Sequence, residues 1–279
     1  MNTLKRIYVM MYLTGAMVLV VKSVLGLASG ANTLSWLGVL MTSFPIAAVL
    51  SMAMMLKRTA RTSANFPFSI TLGFLGVGIS GWCAFFLGGP FSLFYMAAGG
   101  FAGFLVYVFW YSRFGRTPSS EIKVGTPLPD FDLVSSSGET VSASDLTKKS
   151  AIFIFIRGNW CPLCMGQVNE MSAQIGAFTE RGIRVAFIAP QSLGKTKALA
   201  KGRPEGLEFY SDTKNAAGRR LKIHNPASLP FGMEILGYRS ETVLPTVIAT
   251  APGGEILWTH ETDNYRVRPT IKALLAVFE

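Results

Sequence analysis

Four long apolar runs dominate the first 120 residues, a stretch that contains no Asp or Glu. The runs cover residues 7–27, 34–56, 66–87 and 91–114. Each is close to the roughly 20 residues that an α-helix needs to cross the hydrocarbon core of a bilayer. Buried helices of a soluble protein are the alternative, but four such runs without an acidic residue between them argue against it. We therefore expect residues 1–116 to form a membrane α-helical bundle with four spans.

Basic residues occur at every second end of these runs. If each run crosses the membrane once, all these residues lie on the same side. Apart from Lys22, they lie before the first run, between the second and third, and after the fourth: Lys5, Arg6, Lys57, Arg58, Arg61, Arg113, Arg116 and Lys123. Since positive residues stay on the cytoplasmic side, both termini and the rest of the chain are expected in the cytoplasm, at a bacterial-type inner membrane. A cleaved signal peptide is disfavoured because the first run is too long and contains Lys22.

The basic character of the chain belongs to this first part. Residues 121–279 hold 18 basic and 16 acidic residues and are close to neutral. Nucleic-acid binding is the weaker explanation of the charge, because basic and aromatic residues hardly alternate in the first part. The lipid bilayer is the predicted partner, and no nucleic acid is expected.

The stretch AIFIFIRGNWCPLC, residues 151–164, carries the chemistry of the remaining chain. Its six leading apolar residues predict a buried strand, and Pro162 after the polar turn favours the first turn of a helix. Cys161 is then expected at a helix N-terminus, where the helix dipole and the charge of Arg157 favour a thiolate. Cys161 is therefore the predicted nucleophile, and Cys164 the thiol that resolves a mixed disulfide.

Two other uses of the cysteine pair are weaker. Half of a zinc site would need a second Cys or His pair, whereas His224, His260 and Cys83 stand singly. An inert pair of buried cysteines is less consistent with the strand, turn and helix around it. We therefore predict redox chemistry without a metal or another cofactor.

The motif RGNWCPLC resembles the peroxiredoxin-like (redoxin, AhpC/TSA-type) branch of the thioredoxin superfamily. Residues 125–146 are similar to the opening hairpin of that family, and residues 244–258 to its proline loop and the strands that follow. Residues 263–269 are also similar to it, whereas residues 1–116 are not. The resemblance covers most of residues 121–279.

The resemblance implies a domain order and a fold. An α/β thioredoxin-like redox domain is expected at 125–279, joined to the membrane region by a polar linker at 117–124. Within it, the helix after the cysteines leads to an apolar strand at 184–189, which makes a strand–helix–strand unit with parallel strands. Residues 246–250 and 255–259 are expected to form an antiparallel hairpin.

Further site residues are implied by the same resemblance. The peptide bond before Pro245 is expected to be cis, with the proline packed against the Cys161 thiol, and Trp160 is expected to shelter the disulfide from water. Arg266 and Arg268 are candidates to face Cys161, although such charges are more commonly solvated.

One departure from the family bears on the substrate. Peroxide-specific peroxiredoxins carry Thr or Ser three residues before the reactive cysteine, and Pro four residues before that. Counted from Cys161, these positions are Gly158 and Ile154. The hydroxyl group that would orient a peroxide is missing, which argues against peroxidase activity and favours dithiol exchange.

The sequence is thus interpreted as a membrane-anchored thiol–disulfide oxidoreductase that uses its Cys-Pro-Leu-Cys dithiol to reduce disulfides on the cytoplasmic side. A cellular thiol reductant would regenerate the dithiol, since cytosolic conditions keep thiols reduced. A thiol peroxidase acting on hydroperoxides is an alternative with the same residues. A non-enzymatic redox sensor or interaction module is the third interpretation, and the oligomeric state is left open.

Overall fold

The computed structural model describes residues 2–56 and 59–279. The chain divides into two compact units. The helical unit holds Thr3–Leu56 and Thr62–Arg113, and the C-terminal domain holds Phe114–Glu279 together with the short segment 59–61.

The described part of the helical unit contains four helices that are long and apolar enough to cross a membrane, as predicted. Their bounds are α1 Asn2–Ala28, α2 Thr33–Leu56, α3 Pro67–Phe86 and α4 Phe91–Val106, which continues as a π-helix over Tyr107–Tyr111. Large apolar side chains such as Phe68, Phe74 and Trp82 are exposed, as expected of helices that are apolar on all sides and meet lipid. Small residues line the contact between α2 and α3, where a Cβ on Gly38 would lie 2.4 Å from the Gly76 carbonyl oxygen.

Strands and helices alternate through most of the C-terminal domain. The strands are β1 Asp132–Ser135, β2 Thr140–Ser142, β3 Ala151–Phe155, β4 Arg184–Ala189, β5 Leu207–Ser211, β6 His224–Asn225, β7 Thr242–Val243, β8 Thr246–Thr250 and β9 Ile256–Glu261. The α-helices are α5 Ala143–Leu146, α6 Pro162–Ala173, α7 Gly176–Thr179, α8 Leu193–Ala200, α9 Ala216–Arg220 and α10 Ile271–Leu275.

Seven of the strands in the described chain form one mixed sheet, in the order β2-β1-β5-β4-β3-β8-β9. β3, β4 and β5 are parallel, whereas β8 runs antiparallel to β3 and β9 antiparallel to β8. All residues of β3 are buried, as expected for a strand that is covered on both faces. This arrangement confirms the predicted thioredoxin-like α/β fold, including the parallel strand–helix–strand unit and the hairpin of β8 and β9.

The polar stretch predicted as a linker, 117–124, has partners in the C-terminal domain. Just before it, Arg116 forms an ion pair with Glu261 on β9, and both side chains are almost fully buried. Within it, Ser119 Oγ donates to the Leu221 carbonyl at 2.7 Å. These contacts hold the stretch against the domain, so the compact unit begins before the predicted boundary.

Candidate active site

The two cysteines lie where β3 is followed by α6. In the turn between β3 and α6, Gly158 has a φ of +142°, and a Cβ there would lie 2.7 Å from the Trp160 indole nitrogen. This conformation and this close approach both require glycine. The backbone N–H of Asn159 donates to Gln191 Oε1 at 3.0 Å, which ties the turn to the end of β4. Cys161 is the N-cap residue of α6, so the strand, turn and helix are as predicted.

Cys161 and Cys164 are unbridged thiols with different surroundings. Cys161 is 3% exposed, whereas Cys164 is 0% exposed. The guanidinium of Arg268 donates from Nη2 to Cys164 Sγ at 3.7 Å. It also donates from Nη1 to Gln167 Oε1 at 3.2 Å and from Nε to the Tyr265 carbonyl at 3.1 Å. These two further hydrogen bonds hold the cation at the sulfur of Cys164.

The electrostatics of the pair favour the thiolate on Cys164, whereas the sequence predicts it on Cys161. The pKa of Cys164 is lowered to about 5, first by a hydrogen bond from the Cys161 thiol and then, against the effect of burial, by the charge of Arg268. A hydrogen bond from the backbone N–H of Arg157 lowers it further. The pKa of Cys161 is raised well above its ordinary value by its hydrogen bond to Cys164 and by burial. Arg268 contacts the sulfur of Cys164, which favours the anion there. The role of Cys161 as the nucleophile stays a prediction.

Arg157, predicted to lie beside the cysteines, is buried between two aromatic rings. Its guanidinium carbon lies 4.7 Å from the centroid of the Trp160 ring and 5.7 Å from that of Tyr265. Nη2 donates to the Ser228 carbonyl at 2.6 Å. Trp160 is only partly buried and covers this cation, so its role as a shelter for a disulfide stays a prediction.

A family model matches most of this domain. Residues 124–258 match the model of the AhpC/TSA family. The C-terminal domain is a redoxin domain. In general terms it is a thiol oxidoreductase or peroxidase domain.

Solved structures with similarity to the redoxin domain are distant in sequence. Peroxidoxin BcpB from Mycobacterium tuberculosis is 16% identical with a TM-score of 0.46, covering 56% of this chain and 96% of that chain. A yeast mitochondrial 1-Cys peroxiredoxin is 14% identical with a TM-score of 0.46, covering 56% of this chain and 75% of that chain. None of the curated proteins matches the chain.

Pro245 of the redoxin domain differs from the expectation. The peptide bond between Leu244 and Pro245 is trans, and no peptide bond among the described residues is cis. Trans is the more stable isomer of an X–Pro bond, and hydrogen bonds fix the backbone on both sides. Leu244 N–H donates to the Ile223 carbonyl at 2.7 Å, and Arg116 Nη1 donates to the Pro245 carbonyl at 3.0 Å. The prediction of a cis bond was wrong, and a contact between Pro245 and Cys161 stays a prediction.

The redoxin domain brings together residues that are far apart in the chain. Of the two candidate arginines near the C-terminus, Arg268 reaches Cys164. Gln167 was not singled out from the sequence, although its position three residues after Cys164 places both on one helix face. Tyr238, whose hydroxyl donates to Asn159 Oδ1 at 2.8 Å, lies in an irregular loop, and no sequence pattern points to it.

The histidines do not form a metal site with these groups. Burial, followed by the charges of Arg268 and Arg116, lowers the pKa of His260 to about 4, so it is neutral at pH 7. In the ranges 2–56 and 59–279, no three His, Cys, Asp or Glu side chains are close enough together to hold a metal ion.

Proposed function

We propose that the chain is a membrane-bound thiol peroxidase in which the Cys164 thiolate attacks a hydroperoxide and Cys161 supplies the second thiol. The observation that carries the proposal is the guanidinium of Arg268 on the Cys164 sulfur. The thiolate is the nucleophilic form of cysteine, and the cation stabilises this anion where burial alone would favour the neutral thiol. Because Cys164 is fully buried, a slender –OOH group suits it better than a disulfide of a folded protein.

The family pattern supports the same assignment when positions are counted from Cys164. The residue three positions earlier, which is Thr or Ser in peroxide-specific peroxiredoxins, is then Cys161. Its S–H group is a hydrogen-bond donor, as a hydroxyl is, although a weaker one. The position of the family proline is Arg157. The donor that is missing when the count begins at Cys161 is therefore supplied by the first cysteine itself.

In the proposed reaction, the proton of the Cys161 thiol is transferred to the leaving group. Cys164 attacks the terminal oxygen of ROOH, the O–O bond breaks, and the leaving alkoxide takes the proton of the Cys161 thiol to give ROH. Cys164 is then a sulfenic acid and Cys161 a thiolate. Cys161 attacks the sulfenic sulfur, the S–S bond forms, and hydroxide leaves as water with a proton from solvent. The two electrons that reduce the peroxide come from the two sulfurs, which end as a disulfide.

An external thiol reductant completes the cycle by attack on this disulfide. Both cysteines are buried, but Cys161 is slightly less so and is the N-cap residue of α6. We therefore assign the attack of the reductant to Cys161. The same position favours a second candidate function, in which Cys161 exchanges with a substrate disulfide and the chain acts as a disulfide reductase.

We place the redoxin domain on the cytoplasmic side of the membrane. The support is the distribution of Lys and Arg around the apolar runs. Two of the four helices, α3 and α4, separate the basic segment 57–61 from residue 114 along the chain. If each crosses the bilayer once, both stretches emerge on one side. A reducing cytosol would then supply the thiol reductant.

Stopped-flow kinetics of the full-length protein in lipid nanodiscs test this proposal. Reduced wild type, Cys161→Ser and Cys164→Ser are mixed with hydrogen peroxide or with a model disulfide. We expect faster reaction with peroxide, one equivalent consumed by Cys161→Ser, and none above background by Cys164→Ser. An inert Cys161→Ser beside a reactive Cys164→Ser would instead establish exchange through Cys161. Oxidation of wild type without turnover in excess dithiothreitol would establish a sensor.

A further inference from the structure

The redoxin domain exposes a cluster of large apolar side chains on the loop between β6 and β7. Among the described residues after 113, the exposed large apolar side chains are Phe231, Ile235 and Leu236 on this loop, and Val124 and Leu257 elsewhere. Ile235 is 90% exposed. We call Phe231, Ile235 and Leu236 the apex. Apolar side chains that cluster in this way on a soluble domain indicate a contact surface.

Hydrogen bonds fix the loop of the apex to the active-site turn. Lys195 Nζ donates to the Leu236 carbonyl at 2.8 Å and lies 3.8 Å from the centroid of the Tyr238 ring. The Tyr238 hydroxyl in turn donates to Asn159, two residues before Cys161. At the other end of the loop, a carbonyl accepts the hydrogen bond from Arg157. The loop that carries the apex is therefore tied to the turn before Cys161.

Basic residues accompany the apex. Lys195, Lys214 and Arg239 lie on or beside the loop. The loop also carries two carboxylates, Glu234 in its 3₁₀ turn and Glu241, which forms an ion pair with Arg219. Lys214 and Arg239 line a cavity of about 330 Å³ that extends to the loop residue Tyr238. The carboxylate of Asp212, also in its lining, accepts hydrogen bonds from backbone N–H groups through both oxygens. Apolar side chains next to basic side chains are typical of surfaces that bind anionic membranes.

Phe114, which packs near the active-site turn, closely follows an apolar helix along the chain. Phe114 comes three residues after Tyr111, where the π-helical extension of α4 ends, and three residues span at most about 11 Å. The Phe114 ring lies 6.4 Å from the Tyr265 ring, which in turn lies beside the Arg157 guanidinium. Only a short stretch of chain therefore separates the end of α4 from Phe114, which packs beside Tyr265.

We infer that the apex binds the surface of the bilayer, with its apolar side chains among the lipid chains and an anionic phospholipid headgroup at the cavity lined by Lys214 and Arg239. A second inference, which rests on the proposed function, names the substrate class. The substrate is a lipid hydroperoxide, whose –OOH group gives its terminal oxygen to Cys164 and leaves the lipid as an alcohol.

Fluorescence quenching in nanodiscs tests the binding without any use of activity. Ile235→Cys is labelled with an environment-sensitive dye in full-length protein with Cys83, Cys161 and Cys164 replaced by Ser. The control is Lys149→Cys, an exposed position before the opposite end of β3. Nanodiscs contain phosphatidylcholine, phosphatidylglycerol and a lipid with a spin label near its headgroup. We expect the label at 235 to lose about half of its fluorescence and the label at 149 to lose little.

Quenching that is equally weak at both positions would overturn the membrane contact. The membrane contact would also be overturned if the lipid quencher did not reach the label at 235 and its fluorescence depended on protein concentration. A second copy of the chain would then cover the apex. Lys214→Gln with Arg239→Gln is expected to reduce the quenching at 235, and quenching that is unchanged would remove the headgroup site.

The substrate class is tested with the native cysteines. In nanodiscs that contain phosphatidylcholine hydroperoxide, Ile235→Ser with Leu236→Ser is expected to lower the rate about tenfold, with the rate for hydrogen peroxide unchanged. Equal rates for the lipid hydroperoxide in variant and wild type would overturn the substrate inference. A wild type that turns over neither peroxide would overturn the proposed function, while the quenching result would still decide the membrane contact.

Discussion

The two thiols of the active site are chemically identical but lie in different surroundings, which favour the anion on Cys164 and the neutral form on Cys161. On the inner side, Cys164 is fully buried and receives hydrogen bonds from Arg268 and from the Cys161 thiol. On the outer side, Cys161 is the N-cap residue of α6 and follows a turn that contains Trp160 and Arg157. Its hydrogen bond to Cys164 and its burial raise the pKa of Cys161. Both thiols are near the same helix N-terminus, so the helix dipole cannot distinguish them. The contact with a guanidinium does.

This difference divides the work between the cysteines. An anion on the inner side is protected from large electrophiles, and a proton on the outer side lies where a leaving group could collect it. Buried charges are retained where a partner compensates the loss of solvation, and Arg268 is that partner here. The following changes test each side of the comparison, from the largest effect to the smallest.

Removal of the inner sulfur is expected to have the largest effect. Cys164→Ser should lower the rate of peroxide consumption by about a thousandfold or more, because it deletes the proposed nucleophile. Cys161→Ser is the matched change on the outer side and should spare the first attack while it prevents disulfide formation. Mass spectrometry after one equivalent of peroxide should detect a sulfenic acid, trapped with dimedone, in Cys161→Ser only. Trapping in Cys164→Ser only would exchange the roles of the two sides.

Replacement of Arg268 should reduce the difference in pKa between the two thiols without abolishing it. Arg268→Met removes a charge-assisted hydrogen bond of about 1.5–3 kcal/mol, which corresponds to a rise of roughly one to two units in the pKa of Cys164. Because that pKa is now about 5, the thiolate of wild type is present above this pH and is lost as the pH falls through it. The variant should therefore lose activity at a higher pH and be about tenfold slower at pH 5.5. Arg268→Lys should recover part of the loss, and an unchanged pH profile in Arg268→Met would contradict the role of the cation.

Gln167 should have a smaller effect, since it acts through Arg268. Gln167→Leu removes the acceptor of the Nη1 hydrogen bond, and such a bond contributes about 0.5–1.5 kcal/mol. The pKa of Cys164 should rise by less than about one unit, and the substitution should add nothing in an Arg268→Met background. Additive effects in this double-mutant cycle would show that Gln167 acts on the thiol independently.

The smallest change is expected on the outer side. Tyr238→Phe removes the hydrogen bond to Asn159 and loosens the turn before Cys161. The rate of disulfide formation should change by no more than about threefold, with the pKa of Cys164 unaltered. The measurement is the decay of the sulfenic acid in stopped-flow fluorescence. A shift in the pKa of Cys164 would mean that the two sides are not separate.

Local patterns in the sequence predicted most of the fold and part of the site. The apolar runs give α1 to α4 by length alone, and the apolar run before Arg157 with Pro162 after it gives β3, the turn and α6. The same local reasoning placed the thiolate on Cys161, because a helix terminus is visible in sequence. The contact that favours the anion on Cys164 instead joins this residue to Arg268, 104 residues later. Only the packing of the chain end against α6 reveals which thiol that guanidinium reaches.

The state of Pro245 was missed for a related reason. The family resemblance implied a cis bond, but the isomer of an X–Pro bond depends on the hydrogen bonds around it as well as on the motif. Here the Arg116 guanidinium binds the Pro245 carbonyl. Arg116 comes directly before the predicted linker, so the sequence gives no reason to connect it to Pro245.

The most direct test of the account is a pH titration of thiolate absorbance at 240 nm in the reduced full-length protein. Cys161→Ser keeps the inner thiol and a hydroxyl that can donate to it, and should show a thiolate that titrates near pH 5. Cys164→Ser keeps only the outer thiol at the site, and should show no thiolate from it below about pH 8. A low-pH thiolate in Cys164→Ser, with none in Cys161→Ser, would contradict the assignment of the anion to the inner sulfur.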